Sequence, residues 1–170
     1  MKNPEQLLVK GLGKKAVTEL AAAAAVDETL YKTLLKNVAS DESTRAAKSA
    51  WALSHVSDIN HQFPLKHVDE LLRILQSATV GGIQRELLKT LYPIKLPEKQ
   101  YGKLIDLSFR FLSDPKTDVG VKYYATYILT EAIKLYPDLN QEFILALEET
   151  ASWHNEVWQR HVRKLIKKNP

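Results

Sequence analysis

Apolar side chains recur along this chain at a spacing of 36 to 38 residues. The clearest series lies near the start of four predicted helices, at Ala46, Ile83, Val121 and Val157. Four and eight residues later the spacing repeats at Ala50, Leu87, Ala125 and His161, and at Ser54, Leu91, Leu129 and Leu165. The predicted helices that precede these in the sequence show the same spacing at Leu35, Leu72, Phe109 and Leu145. Two sets of segments that share one period indicate a structural repeat.

A repeat of this length is typical of a pair of antiparallel helices that cannot bury its apolar stripe alone. Neighbouring pairs must stack to form a continuous core. The sequence therefore predicts a single all-α domain over residues 1–170, with repeats at 27–63, 64–96, 97–139 and 140–168. Residues 3–25, which include the run AAAAA, are interpreted as an N-terminal cap helix.

Proline and capping residues predict where the helices begin. Asp27 is expected to cap one helix, the cluster 41–43 to open the next, and Thr117 or Asp118 to cap a later one. Pro64 is expected to precede the helix LKHVDELLRILQSA. No segment of useful length alternates with the period of two that a half-buried strand requires, so no sheet is predicted.

The stretch from Leu112 to Leu129 carries a motif, Leu-x-Asp-Pro followed by Asp-x-x-Val-Lys-x-x-Ala-x-x-x-Leu. This motif resembles the HEAT repeat, whose period is similar. The first repeat keeps it as ASDESTRAAKSAWAL, whereas Gln84 and Trp158 replace the lysine in the second and fourth. The resemblance implies a right-handed α-α superhelix of about four HEAT-like helix pairs, with the second helices along a concave face.

Composition narrows the expected chemistry. The chain has no cysteine, which excludes disulfides, thiolate metal sites and a catalytic cysteine and suits the cytoplasm, the expected location. The apolar stretch Leu20 to Val26 is much shorter than the roughly 20 residues that span a bilayer, so no membrane association is expected. The formal net charge of +4 permits an acidic partner without requiring one.

No motif for catalysis or cofactor binding is present. GLGKKA at residues 11–16 lacks the spacing and the preceding strand of a phosphate-binding loop. The five histidines form no HExxH pair, and adjacent acidic residues such as Glu148 and Glu149 point in different directions on a helix. We therefore expect no catalytic residues, no metal site and no cofactor.

The last predicted helix, NEVWQRHVRKLIKKNP, has a basic stripe formed by Arg160, Arg163, Lys164 and Lys167. This stripe can present cations to an acidic protein or to phosphates. The simpler interpretation, which the sequence favours, is a solvated outer face whose lysines also suit the negative end of the helix dipole.

Two further surfaces are candidates for partner binding. Tyr123 and Tyr127 lie on the polar side of their helix, where tyrosines suit recognition, although packing between helices explains them more simply. The second helices of the first three repeats also carry cations that would face a concave surface: Lys48, Arg85, Lys89 and Lys122.

These features predict a non-enzymatic scaffold that binds an unidentified protein, possibly acidic, by area and charge. The alternative is a nucleic-acid-binding protein, because alkylation-repair DNA glycosylases also use HEAT-like repeats. That alternative is an analogy of fold alone, since no motif carries over residue by residue.

Overall fold

The computed structural model describes residues 13–40 and 43–169. Within these ranges every regular element is helical, as the sequence predicts, and no strand occurs. The described residues form ten α-helices, which are α1 (Lys14–Ala24), α2 (Glu28–Val38), α3 (Ser43–Ile59), α4 (Gln62–Lys66), α5 (Val68–Ser77), α6 (Gly81–Leu91), α7 (Glu98–Ser113), α8 (Val119–Leu135), α9 (Asn140–Thr150) and α10 (Glu156–Lys168). A 3₁₀ turn, Pro137–Leu139, connects α8 to α9. The all-α class is confirmed.

The chain forms two compact units, Met1–Gln100 and Tyr101–Pro170. In the first unit α3 is central, because it packs against α1, α2 and α6, while α5 packs against α6. The facing sides of these helices are apolar, and Leu34, Leu53 and Leu87 are fully buried. The boundaries of the four predicted repeats stay a prediction, and the part of the cap helix before Gly13 lies outside the described residues.

The second unit is built around a cluster contributed by four helices. Its fully buried members are Leu112 of α7, Leu129 and Ala132 of α8, Phe143 and Leu147 of α9, and Trp158 and Val162 of α10. The indole of Trp158 is completely buried, and its Nε1–H donates to the Thr150 carbonyl at 3.1 Å. This hydrogen bond satisfies the only polar group that the indole brings into the core.

The predicted N-cap residues differ in whether their side chains cap the helix. The Asp27 carboxylate accepts from the amides of Thr29 and Leu30 at 2.9 and 3.1 Å, as an N-cap residue should. Asp118 occupies the N-cap position of α8 but makes no side-chain cap. Its backbone carbonyl accepts from the Val121 and Lys122 amides instead, at 3.0 and 3.1 Å. The cluster 41–43 is not fully described, since residues 41 and 42 lie outside the described ranges.

The segment after Asn60 differs from the prediction. Pro64 lies inside the short helix α4, and His67 separates α4 from α5 with φ −107° and ψ 20°. Proline is tolerated there because the amides of a helix's first turn have no partner within the helix. His67 packs against Tyr31, with ring centroids 5.5 Å apart, so the break lies at a tertiary contact.

The repeated apolar positions are buried in the early part of the chain and exposed in its last part. Ala46, Ile83 and Val121 are all buried, but Val157 is 60% exposed and Leu145 is 59% exposed. The buried stripe of α10 is instead Trp158, Val162 and Leu165. This stripe lies on the side of α10 opposite the predicted basic stripe, and the large, fully buried indole determines which way the helix faces.

Candidate functional site

Helix α10 separates its apolar and basic residues onto opposite sides. Trp158, Val162 and Leu165 are buried, whereas the four cations of the predicted stripe are exposed to solvent. We call these four, Arg160, Arg163, Lys164 and Lys167, the basic face. Asn155 begins the helix, because its side-chain oxygen accepts from the Trp158 amide at 3.1 Å.

Little of the charge on the basic face is neutralised within the protein. Arg160 pairs with Glu156 at 3.6 Å, but both side chains are more than two-thirds exposed, so the pair is weak. Among the described residues, the side chains of Arg163, Lys164 and Lys167 form no hydrogen bond and no ion pair. Three cations therefore face solvent along about one turn of helix.

Helix α8 lies beside α10 and runs in the same direction. Tyr123 contacts Trp158, with ring centroids 5.3 Å apart, and Thr126 contacts His161 at 2.9 Å. Because an advance of three residues on α8 matches an advance of three on α10, the helices are parallel at this contact. The tyrosines of α8 are thus brought next to the helix that carries the basic face.

His161 is held at this contact in a defined tautomer. The Thr126 hydroxyl lies 2.7 Å from the Tyr123 carbonyl, which accepts but cannot donate, so the hydroxyl proton points to that carbonyl. The Thr126 oxygen must then accept from His161, which places a proton on Nε2. The imidazole Nδ1 of neutral His161 remains an acceptor.

The two predicted tyrosines have different environments. Tyr123 is partly buried against Trp158 and His161, and burial, with Tyr127 as a smaller cause, raises the pKa of its phenol. Tyr127 is 38% exposed and lies edge-on to His161 at 6.0 Å. Tyr123 therefore joins the two helices, and Tyr127 is the tyrosine that a partner can reach.

The local field at His161 is positive. Burial lowers the pKa of its imidazole below the usual 6.5, and the Lys164 cation lowers it further. At neutral pH His161 is therefore an uncharged, half-buried ring between the aromatic side chains and the basic face. The sequence shows His161 only as the polar member of the repeated series Ala50, Leu87, Ala125 and His161, and that departure from apolar residues is the one signal of a different role.

Two of the predicted partner-binding lysines are buried, which corrects their assignment to an accessible surface. Lys48 is only 2% exposed, and burial lowers the pKa of its ammonium group. Lys122 is 0% exposed, and its Nζ donates to the carbonyls of Phe111, Leu112 and Asp114 at 3.1, 2.6 and 2.7 Å. Its charge holds the end of α7 and is not available to a partner.

The remaining predicted cations lie on α6 in the first unit. Arg85 is exposed, and its guanidinium pairs with Glu86 at 3.0 Å, while Lys89 is partly buried. Glu86 also accepts from the Ser54 hydroxyl of α3 at 2.7 Å. Arg85 is thus partly neutralised by a carboxylate that joins two helices.

The described ranges hold neither a cluster of metal ligands nor a membrane-spanning helix. Within them no group of three or more metal-ligating side chains comes together. None of the helices described is both long and apolar enough to cross a bilayer. The face formed by α8 and α10 is therefore the candidate site for partner binding.

Comparison with known proteins identifies the family. The sequence profile of the HEAT repeat domain matches residues 5–169, which is nearly the whole chain. None of the curated proteins compared with the chain matches it. HEAT repeats are generally scaffolds for protein interactions and are typically not enzymes. The resemblance seen between Leu112 and Leu129 is confirmed, and the chain belongs to the HEAT repeat family.

Proposed function

We propose that this protein is a non-enzymatic scaffold that binds an acidic segment of a partner protein on the basic face of α10. The observation that carries the proposal is the set of three exposed cations, Arg163, Lys164 and Lys167, which have no ion pair among the described residues. Membership of a family whose members generally bind proteins supports it. The cytoplasm expected from the cysteine-free sequence is part of the same proposal.

An acidic protein suits this face better than a nucleic acid. From Arg160 to Lys167 the basic face is about 10 Å long at 1.5 Å per residue, which matches only about three phosphate spacings on one strand. Lys48 and Lys122, the cations that would have extended a phosphate-binding surface, are buried. A few carboxylates on a peptide are enough to match a face of this length.

Charge reversal on α10 tests the proposal. The probe is a fluorescently labelled oligo-aspartate peptide, titrated with the purified protein at low salt. Arg160→Glu combined with Lys164→Glu should weaken binding at least about tenfold, because two attractive contacts become repulsive. Both positions are exposed, so helicity measured by circular dichroism should change little.

The matched control is Lys99→Glu combined with Lys103→Glu, which makes the same change in charge at the same spacing on the exposed side of α7. It should leave the affinity within about twofold of the parent, apart from the screened effect of net charge. Equal losses in the two double variants would contradict a site on α10. A labelled DNA duplex should bind more weakly than the peptide at equal salt, and tighter binding of DNA would favour the nucleic-acid alternative.

A further inference from the structure

We infer that the basic face is one half of a composite site whose other half is an apolar patch formed by Tyr127, Val157 and His161, so that the bound segment carries a large apolar side chain among its acidic residues. This inference rests on the proposed function and specifies the chemistry of the partner. We call these three residues the apolar patch.

The patch leaves apolar surface in water beside the cations. Val157 is 60% exposed and Tyr127 is 38% exposed, whereas Trp158, Val162 and Leu165 on the other side of α10 are buried. His161 lies between them, since its ring is 6.0 Å from that of Tyr127 and it follows Val157 by one helical turn. His161 therefore adjoins Tyr127 across the α8 and α10 contact and Val157 along α10.

The patch is held in place before any partner binds. His161 is fixed by its hydrogen bond to Thr126 at 2.9 Å and by the Tyr123 ring at 4.6 Å. Tyr127 also contacts the Tyr124 ring, 5.6 Å away and nearly perpendicular. Because these rings are already ordered, little side-chain entropy is lost when an apolar group covers them.

The cations determine which apolar partner fits. Lys164 lies one turn beyond His161 and close enough to lower the pKa of its imidazole. Carboxylates that flank an apolar side chain would therefore meet Lys164 and Arg160 while that side chain covers the patch. Charge and apolar area are presented together, as in an interface with an apolar centre and a polar rim.

Two other occupants fit less well. A second copy of the chain, docked symmetrically, would place the basic face against itself, and like charges at a symmetric contact oppose association. An anionic membrane would require the apolar side of α10, but that side is buried against Phe143 and Leu147 in the core of the unit. An acidic segment with an embedded apolar residue satisfies both halves of the site.

Two labelled peptides of equal charge test the inference with the intact protein. One is an oligo-aspartate with a leucine in its centre, and the other has serine in place of leucine. The leucine peptide should bind more tightly by a factor on the order of five, since it buries additional apolar area on the patch. Val157→Ser should bring the ratio of the two affinities close to one, because it removes the most exposed apolar side chain of the patch.

Lys167→Gln is the matched control on the same helix. It should weaken both peptides by a similar factor and leave their ratio unchanged. Equal affinity of the parent protein for the two peptides would overturn the inference and leave the proposed function intact. A leucine preference that survives in Val157→Ser would place the apolar contact elsewhere and overturn it too. If neither peptide binds the parent protein, the proposed function and the inference both fail.

Discussion

Lys122 shows how one residue of the repeat motif acts within the fold. Its ammonium group donates to three carbonyls at the end of α7 and lies 4.8 Å from the centre of the Trp153 ring. Burial lowers the pKa of Lys122 to about 8, and nearby Asp114 opposes that shift. The three carbonyls match the three protons of the charged form, so the lysine closes the turn between α7 and α8.

Lys122→Met should lower the free energy of unfolding by about 2 to 4 kcal/mol, because buried carbonyls lose their donor while the volume of the stem is kept. Urea denaturation at neutral pH measures the change. The control is Lys134→Met, which removes only an exposed pair with Glu131 and should cost less than about 1 kcal/mol. Equal effects of the two variants would contradict the role assigned to Lys122.

Residue roles were the least predictable part of the sequence. Lys48 and Lys122 are charged residues of the kind found on binding surfaces, yet both are buried. Whether a long side chain reaches solvent depends on the segments packed around it, and no local sequence pattern specifies these. The role of His161 was not predictable either, because it depends on a contact between helices. Its tautomer depends on the Thr126 hydroxyl, 35 residues away in sequence.

At the scale of helices, Glu28 joins α2 to Lys66 at the end of α4 and to His67 between α4 and α5. Its carboxylate accepts from Lys66 at 2.8 Å and contacts His67 Nε2 at 3.0 Å. These two hydrogen bonds, with Lys66 the larger cause, lower the pKa of Glu28 to about 2 from a usual 4.5. A carboxyl whose pKa is depressed by folding stabilises the protein above its unfolded pKa, and that stabilisation is lost as the pH falls.

Glu28→Gln should therefore lower the Tm most above pH 4.5, and the difference from the parent protein should close as the pH falls towards about 2. Thermal unfolding followed by circular dichroism over this range gives the comparison. Glu19→Gln, on the exposed side of α1, is the control and should give the smaller difference above pH 4.5. A difference in Tm between the parent and Glu28→Gln that grows as the pH falls would contradict the stabilising role of the ionised carboxylate.

Helices and their buried sides were largely predictable, because the period of 3.6 residues determines which side chains share a face. The repeated positions Val121, Ala125 and Leu129 of α8 are all buried, as the sequence predicts. The short helix α4 was not foreseen, since its position depends on the contact of His67 with Tyr31. The exposure of Val157 was also missed, because Trp158 beside it determines how α10 is rotated.

At the scale of the molecule, the period of 36 to 38 residues was the most informative feature of the sequence. It led to the all-α class and to the HEAT repeat family, and the family match over residues 5–169 agrees. The binding face was only partly predictable. Its cations and tyrosines are evident in the sequence. That His161 of α10 contacts the rings of Tyr123 and Tyr127 depends on α8 and α10 lying side by side, which the sequence does not specify.

Chemical shift mapping tests the central claim most directly. The isotopically labelled protein is titrated with the oligo-aspartate peptide that contains leucine, and the shift of each backbone amide is followed. The largest shifts should fall on residues 157–168 of α10 and 123–127 of α8. No shifts at saturating peptide, or shifts concentrated on α1 to α6, would contradict a binding site on this face.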